Sequence, residues 1–145
     1  MRQIDINNIE YLVVHCADTY ASMDIGAEEI RHWHVVDNGW DDIGYHKIIR
    51  RDGSVEDGRS QSYAGAHAAA FNGKSYAVCL IGGKGDDDGA EDIFTVEQKE
   101  ALHSVISSWK VTCPDAEVLG HCDLPDVSKA CPSFDVKAWW ASVDV

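Results

Sequence analysis

The run I-E-Y-L-V-V-H at residues 9–15 is apolar at most positions and alternates poorly. That pattern predicts a strand buried on both faces, with His15 standing at its C-terminal end. Residues 75–82, S-Y-A-V-C-L-I-G, predict a second buried strand in which Cys79 is a small core hydrophobe. Between them, residues 25–37 read as a helix. Asp24 is the expected N-cap, Glu28 and Glu29 sit in the first turns, Ile30 and Trp33 share a face, and Asn38-Gly39 supplies the stop. Y-H-K-I-I-R-R then meets Asp52-Gly53, a strong hairpin signal, before S-V-E-D-G. Alternation along the entering strand puts Tyr45 and Lys47 on one face and His46 and Ile48 on the other, so Tyr45 and His46 cannot both point into one site.

Further on, Thr95-Val-Glu-Gln98 predicts a capping box opening a long helix. Leu102, Val105, Ile106 and Trp109 give its core stripe, and Pro114 bars its continuation. A short strand at 117–120 is expected to deliver His121, and Ser133 to cap a last helix carrying Trp139 and Trp140. Strands alternate with helices around one hairpin. The expected fold is therefore α/β, one domain over residues 1–145, with a mixed central sheet flanked by helices.

Composition narrows the function. A chain of 145 residues is long enough for one packed domain. A net charge of -13 opposes binding to nucleic acid or to anionic lipid. No apolar stretch approaches the roughly 20 residues that span a bilayer. The opening M-R-Q-I-D-I-N-N-I-E carries acids early and lacks the apolar segment of a signal peptide, which predicts a chain made and folded in the cytoplasm. Five cysteines, an odd number, argue against a disulfide framework; Cys16, Cys113 and Cys122 read as bystanders. The stretch G-G-K-G-D-D-D-G-A-E-D at 82–92 lacks EF-hand spacing and reads as a solvated acidic loop, away from the candidate chemistry.

That chemistry centres on three residues. His121 and Cys131 lie ten positions apart, and His15 ends the first apolar run. Two imidazoles and a thiolate are zinc-ligand types, and three protein ligands leave the fourth tetrahedral position to water or substrate, as in a catalytic zinc site. Singly, each residue has an ordinary explanation: a hydrogen-bonded histidine after a strand, a core thiol, a half-buried strand tyrosine at Tyr45, a solvated charge at Lys129. His32, His34 and His103 fall on the predicted helices and receive no role.

The motifs V-V-H-C-A-D-T, I-R-H-W-H, G-W-D-D-I-G-Y-H-K-I-I-R-R-D-G-S-V-E-D-G-R, G-A-H-A-A-A-F-N, S-Y-A-V-C-L-I-G-G and K-A-C-P-S-F-D-V-K-A-W-W run in order through nearly the whole chain. Together they resemble the type 2 zinc N-acetylmuramoyl-L-alanine amidases, and within them the T-odd coliphage endolysins. The resemblance implies one zinc per chain on His15, His121 and Cys131, catalytic roles for Tyr45 and Lys129, and substrate contact by His67. It implies hydrolysis of the amide between N-acetylmuramic acid and L-alanine in peptidoglycan, by a monomer held in the cytoplasm until a membrane-permeabilising partner releases it to the wall. A phage RNA polymerase is a second partner that the resemblance suggests. The alternative is a peptidoglycan-binding or polymerase-inhibiting module of the same fold. The loop C-D-L-P-D-V-S after His121 is slightly longer than its counterpart.

Overall fold

Both apolar runs lie inside one sheet, which is why neither alternates. A computed structural model describes residues 1–125 and 130–143. Its strands are β1 (Tyr11–Cys16), β2 (Thr19–Tyr20), β3 (Lys47–Ile49), β4 (Val55–Asp57), β5 (Ser75–Leu80), β6 (Gly83–Lys84) and β7 (Glu117–Gly120). Its α-helices are α1 (Ala27–His32), α2 (Val96–Thr112) and α3 (Val136–Val143). The main sheet has the order β4-β3-β5-β1-β7. Its pairs are parallel except β3 with β4, so the sheet is mixed as expected. β2 and β6 form a separate two-stranded ribbon.

One face of the sheet, carrying Leu12, Val14, Val78 and Leu80, packs against Leu102, Ile106 and Trp109 of α2 and Val136 of α3. The opposite face packs Ile48 and Cys79 against Ala27 and Ile30 of α1. With helices on both faces, every position of β5 is buried, and periodicity vanishes from the sequence. No helix among the described residues is long and apolar enough to cross a membrane.

The local signals hold where their partners are local. Thr95 Oγ1 accepts from Gln98 N (3.0 Å), and Gln98 Oε1 accepts from Thr95 N (3.0 Å). Gln98 is also fully buried, and its amide donates to Ile81 O (2.8 Å) and Ile49 O (3.3 Å), tying α2 to the sheet. The Asp52-Gly53 turn closes with Gly53 at φ +88 and Asp52 Oδ1 accepting from Ser54 N (2.9 Å).

Three expectations need correction. The N-cap of α1 is Gly26, not Asp24: Glu29 accepts from Gly26 N (3.0 Å), Glu56 of β4 accepts from Ala27 N (2.9 Å), and Asp24 instead accepts from Arg50 (3.0 Å). Ser133 does not cap α3; it has φ +78 and donates to Gly83 O (3.2 Å), while Asp135 accepts from Ala138 N (3.1 Å). Finally, regular strand geometry begins only at Lys47. Tyr45 therefore packs against the cluster containing Ile48 and Cys79, not on the Lys47 face. His46 is still turned elsewhere, with its ring held by Tyr63 O (2.8 Å) and Ala77 N (3.1 Å).

A candidate metal centre in the cleft

Adjacent parallel strands bring the site together at their C-terminal ends, where open α/β sheets place their chemistry. Val14 pairs with Gly120, so β1 presents His15 next to His121, the residue that follows β7. The two imidazole centroids are 4.4 Å apart. Cys131 reaches the same point through a tight approach: a Cβ on Gly120 would lie 2.8 Å from Pro132 Cδ, so only glycine lets that segment close on β7. Cys122 N donates to Cys131 O (2.8 Å) and pins it there.

The ligand atoms of His15, His121 and Cys131 all lie within 4.8 Å of one another. Tetrahedral zinc with bonds of about 2.0–2.3 Å places N and S donors roughly 3.3–3.8 Å apart, inside that limit, and this mixed nitrogen–sulfur set suits zinc. A further feature fits a bound cation. The backbone N–H of Cys16 points at Cys131 Sγ (3.0 Å), a contact that favours thiolate. Against it, the sharing of one proton with the Cys16 sulfur and burial push the Cys131 thiol well up, so a thiolate there calls for positive charge beside it. Cys16 is thus part of the site wall rather than a bystander. Cys122 is not in the ligand group.

Tyr45 stands over the cluster with its ring 5.1 Å from that of His15. Burial raises its phenol well above the usual value, so at neutral pH it is a hydrogen-bond donor. His34 supports it from behind: its Nδ1 accepts from Gly44 N (2.9 Å), and its ring lies 4.4 Å from Trp40 and 5.6 Å from Tyr45. His67 reaches His15 from the other side, with its Nδ1 2.7 Å from His15 Nε2 and its Nε2 2.9 Å from Ser75 Oγ. Burial, reinforced by His46 and His121, lowers its pKa to about 3, so its ring is neutral. Lys129 lies outside the described residues.

These groups line a cleft of about 600 Å³ that also takes in Trp40, Asp18 and Asp88. Asp88 corrects the reading of residues 82–92 as a loop remote from the chemistry. The loop folds back on itself through Gly85 N to Gly89 O (2.8 Å), and Asp88 accepts from the Tyr20 hydroxyl at the cleft rim. Trp40 and Asp88 were not singled out in the sequence. Trp40 sits five residues before Tyr45 in the same motif, a signal that was available; Asp88 had none.

The chain matches the family model described as N-acetylmuramoyl-L-alanine amidase over residues 5–134. It is 47% identical over 129 residues to the endolysin of Klebsiella phage KP32, covering 89% of this chain and 83% of that protein. Identity to the endolysin of Escherichia phage T7 is 42% over 129 residues, again covering 89% and 83%. Among solved structures, bumblebee PGRP-SA superposes with a TM-score of 0.81 at 26% identity, covering 99% of this chain and 86% of that one. The N-acetylmuramoyl-L-alanine amidase LysC from Clostridium intestinale shares the fold, with a TM-score of 0.79 at 22% identity, covering 98% and 90%. With a match across nearly its whole length, this chain belongs to the N-acetylmuramoyl-L-alanine amidase family.

Proposed function

We propose that the cleft is the active site of a phage-type endolysin that hydrolyses the amide joining N-acetylmuramic acid to L-alanine in peptidoglycan, using one zinc held by His15, His121 and Cys131. The observation that carries this reading is the convergence of two imidazoles and a thiol, from three separate segments, at the floor of an open cleft. When bound, zinc supplies Lewis acidity towards the scissile carbonyl. The chain's own residues supply the rest. The protonated phenol of Tyr45 donates a hydrogen bond to the carbonyl oxygen and orients the amide. Lys129, two residues before a ligand in sequence, is assigned the ammonium that offsets the charge developing on that oxygen. The wall carrying Trp40 holds the glycopeptide across the ligand cluster.

The endolysin relatives support a role in host lysis; the proposal adds that the chain is held in the cytoplasm until a membrane-permeabilising partner admits it to the wall, and that it acts there as a monomer. A phage RNA polymerase as second partner is tested separately, by pull-down against that polymerase. The retained thiol at Cys131 favours the enzyme over a module that only binds peptidoglycan.

The deciding experiment combines metal analysis with product identification on purified peptidoglycan. The protein is expected to hold one zinc per chain, to lose activity in chelator, and to release free L-alanine amino groups without new reducing sugar ends. Undiminished turnover in strong chelator would reject the metal assignment; reducing ends as the main product would reject the bond assignment.

A further inference from the structure

The contacts of His67 form a chain whose direction is fixed from one end. The carbonyl oxygen of Phe71 can only accept, and Ser75 Oγ lies 2.7 Å from it, so the single hydroxyl hydrogen of Ser75 points there. His67 Nε2, 2.9 Å from Ser75 Oγ, must then donate its N–H to that oxygen. A neutral imidazole has one N–H, so His67 Nδ1 carries the lone pair. His15 Nε2, 2.7 Å away, must therefore donate to it. With its proton on Nε2, the lone pair of His15 resides on Nδ1. The two ring nitrogens of His67 meet an imidazole and a hydroxyl and no carboxylate, so no anion there stabilises a second proton on the ring.

The local structure holds this chain rigid. Ser75 is fully buried at the start of β5, and Phe71 lies in the 3-10 turn Ala69–Lys74 that feeds it. Asn72 Oδ1 accepts from both His67 N (3.0 Å) and Ala68 N (2.9 Å), locking the backbone that carries the ring. Both ring nitrogens of His67 are thus committed to protein partners, neither of them substrate.

We infer that His67 is a positioning residue: through Ser75 and the Phe71 carbonyl it fixes the Nε2–H tautomer of His15, so that Nδ1 is the nitrogen offered to the metal. This rests on the proposed ligand set, but the tautomer itself exists without the metal. It also replaces the substrate-contact role that the family resemblance suggested for His67. A partner of this kind, bound to the second nitrogen of a ligating histidine, sets ring orientation and basicity.

Long-range 1H–15N correlation spectra of the metal-free protein read each imidazole tautomer directly. His15 and His67 are both expected in the Nε2–H form. In His67→Leu, His15 is expected to lose its single tautomer, and zinc affinity, measured by competition with a chromophoric chelator, to fall about 10- to 100-fold. His67→Asn, whose amide oxygen stands near the position of Nδ1, is expected to recover most of that affinity. Finding His15 in the Nδ1–H form in the wild-type protein would overturn the inference without any variant. So would a His67→Leu protein that keeps its zinc affinity while KM rises, which is the signature of substrate contact. A wild-type protein with His15 in the Nε2–H form but no zinc affinity would support the chain and reject the proposed metal site, so the two readings fail separately.

Discussion

Replacing Tyr45 by Phe separates holding the site from using it. The substitution deletes one hydroxyl and keeps the ring, whose contacts are what the fold needs: Tyr45 packs against the Ile48 and Cys79 cluster, with the rings of His15 and His34 at 5.1 and 5.6 Å. Folding stability should therefore change by no more than about 1 kcal/mol, the net worth of one ordinary hydrogen bond. For a domain of this size, that is a shift of only a few degrees in Tm. The phenol is not among the zinc-ligand types gathered here, so metal content should be unchanged. Catalysis should respond differently. The group is desolvated and protonated, and losing one such donor to a developing oxyanion typically lowers kcat about 100- to 1000-fold, or roughly 2.7–4 kcal/mol of transition-state stabilisation. The assay is steady-state kinetics on a soluble muropeptide, with zinc content and thermal unfolding measured on the same preparation. A folded, zinc-loaded Tyr45→Phe enzyme with kcat within about threefold of wild type would refute the role given to the hydroxyl, and loss of zinc would refute its separation from the ligand set.

Lys129→Met is expected to keep its zinc and lose most of its turnover, whereas Cys131→Ser should lose zinc itself, because a serine hydroxyl is a poor zinc ligand at neutral pH; metal analysis beside kinetics distinguishes the two. Burial lowers the pKa of His46 from 6.5 to about 4, so the unfolded chain takes up a proton that the folded one refuses. Its contribution is present above pH about 6.5 and is lost as pH falls towards 4, at most about 3 kcal/mol; urea unfolding at pH 7 and pH 4.5 should show the slope, and His46→Gln should flatten it. Gln98→Ala removes a fully buried amide bonded to Thr95, Arg51, Ile49 and Ile81, and should cost about 2–4 kcal/mol in chemical denaturation with little change in the cleft chemistry.

Much of the fold was written locally. Apolar runs without alternation mark strands covered on both faces, and β1 and β5 are such strands. The capping box of α2 and the Asp52-Gly53 turn involve partners within three residues, so their geometry follows from adjacent side chains. The candidate ligands were legible as residue types at the ends of predicted strands, and the ordered motifs gave them a family. Caps supplied from elsewhere were not legible. Glu56 reaches Ala27 N from 29 residues away, and nothing near Asp24 announces that its carboxylate is taken by Arg50.

The sequence by itself determined which segments are buried and which side chains can bind a metal, because burial period and donor chemistry are properties of single residues and their neighbours. The tertiary structure decided who meets whom. Tyr45 joined the Ile48 side because the strand begins after it, which no alternation rule anticipates. Asp88 came to the cleft rim because its loop folds back onto Tyr20. Cys131 received the Cys16 N–H across 115 residues, and His15 received His67 across 52. Hydrogen-bond direction at such contacts depends on which atoms the packed chain brings within 3 Å, and that is fixed only when the strands are in register and the glycine at 120 lets the last segment close.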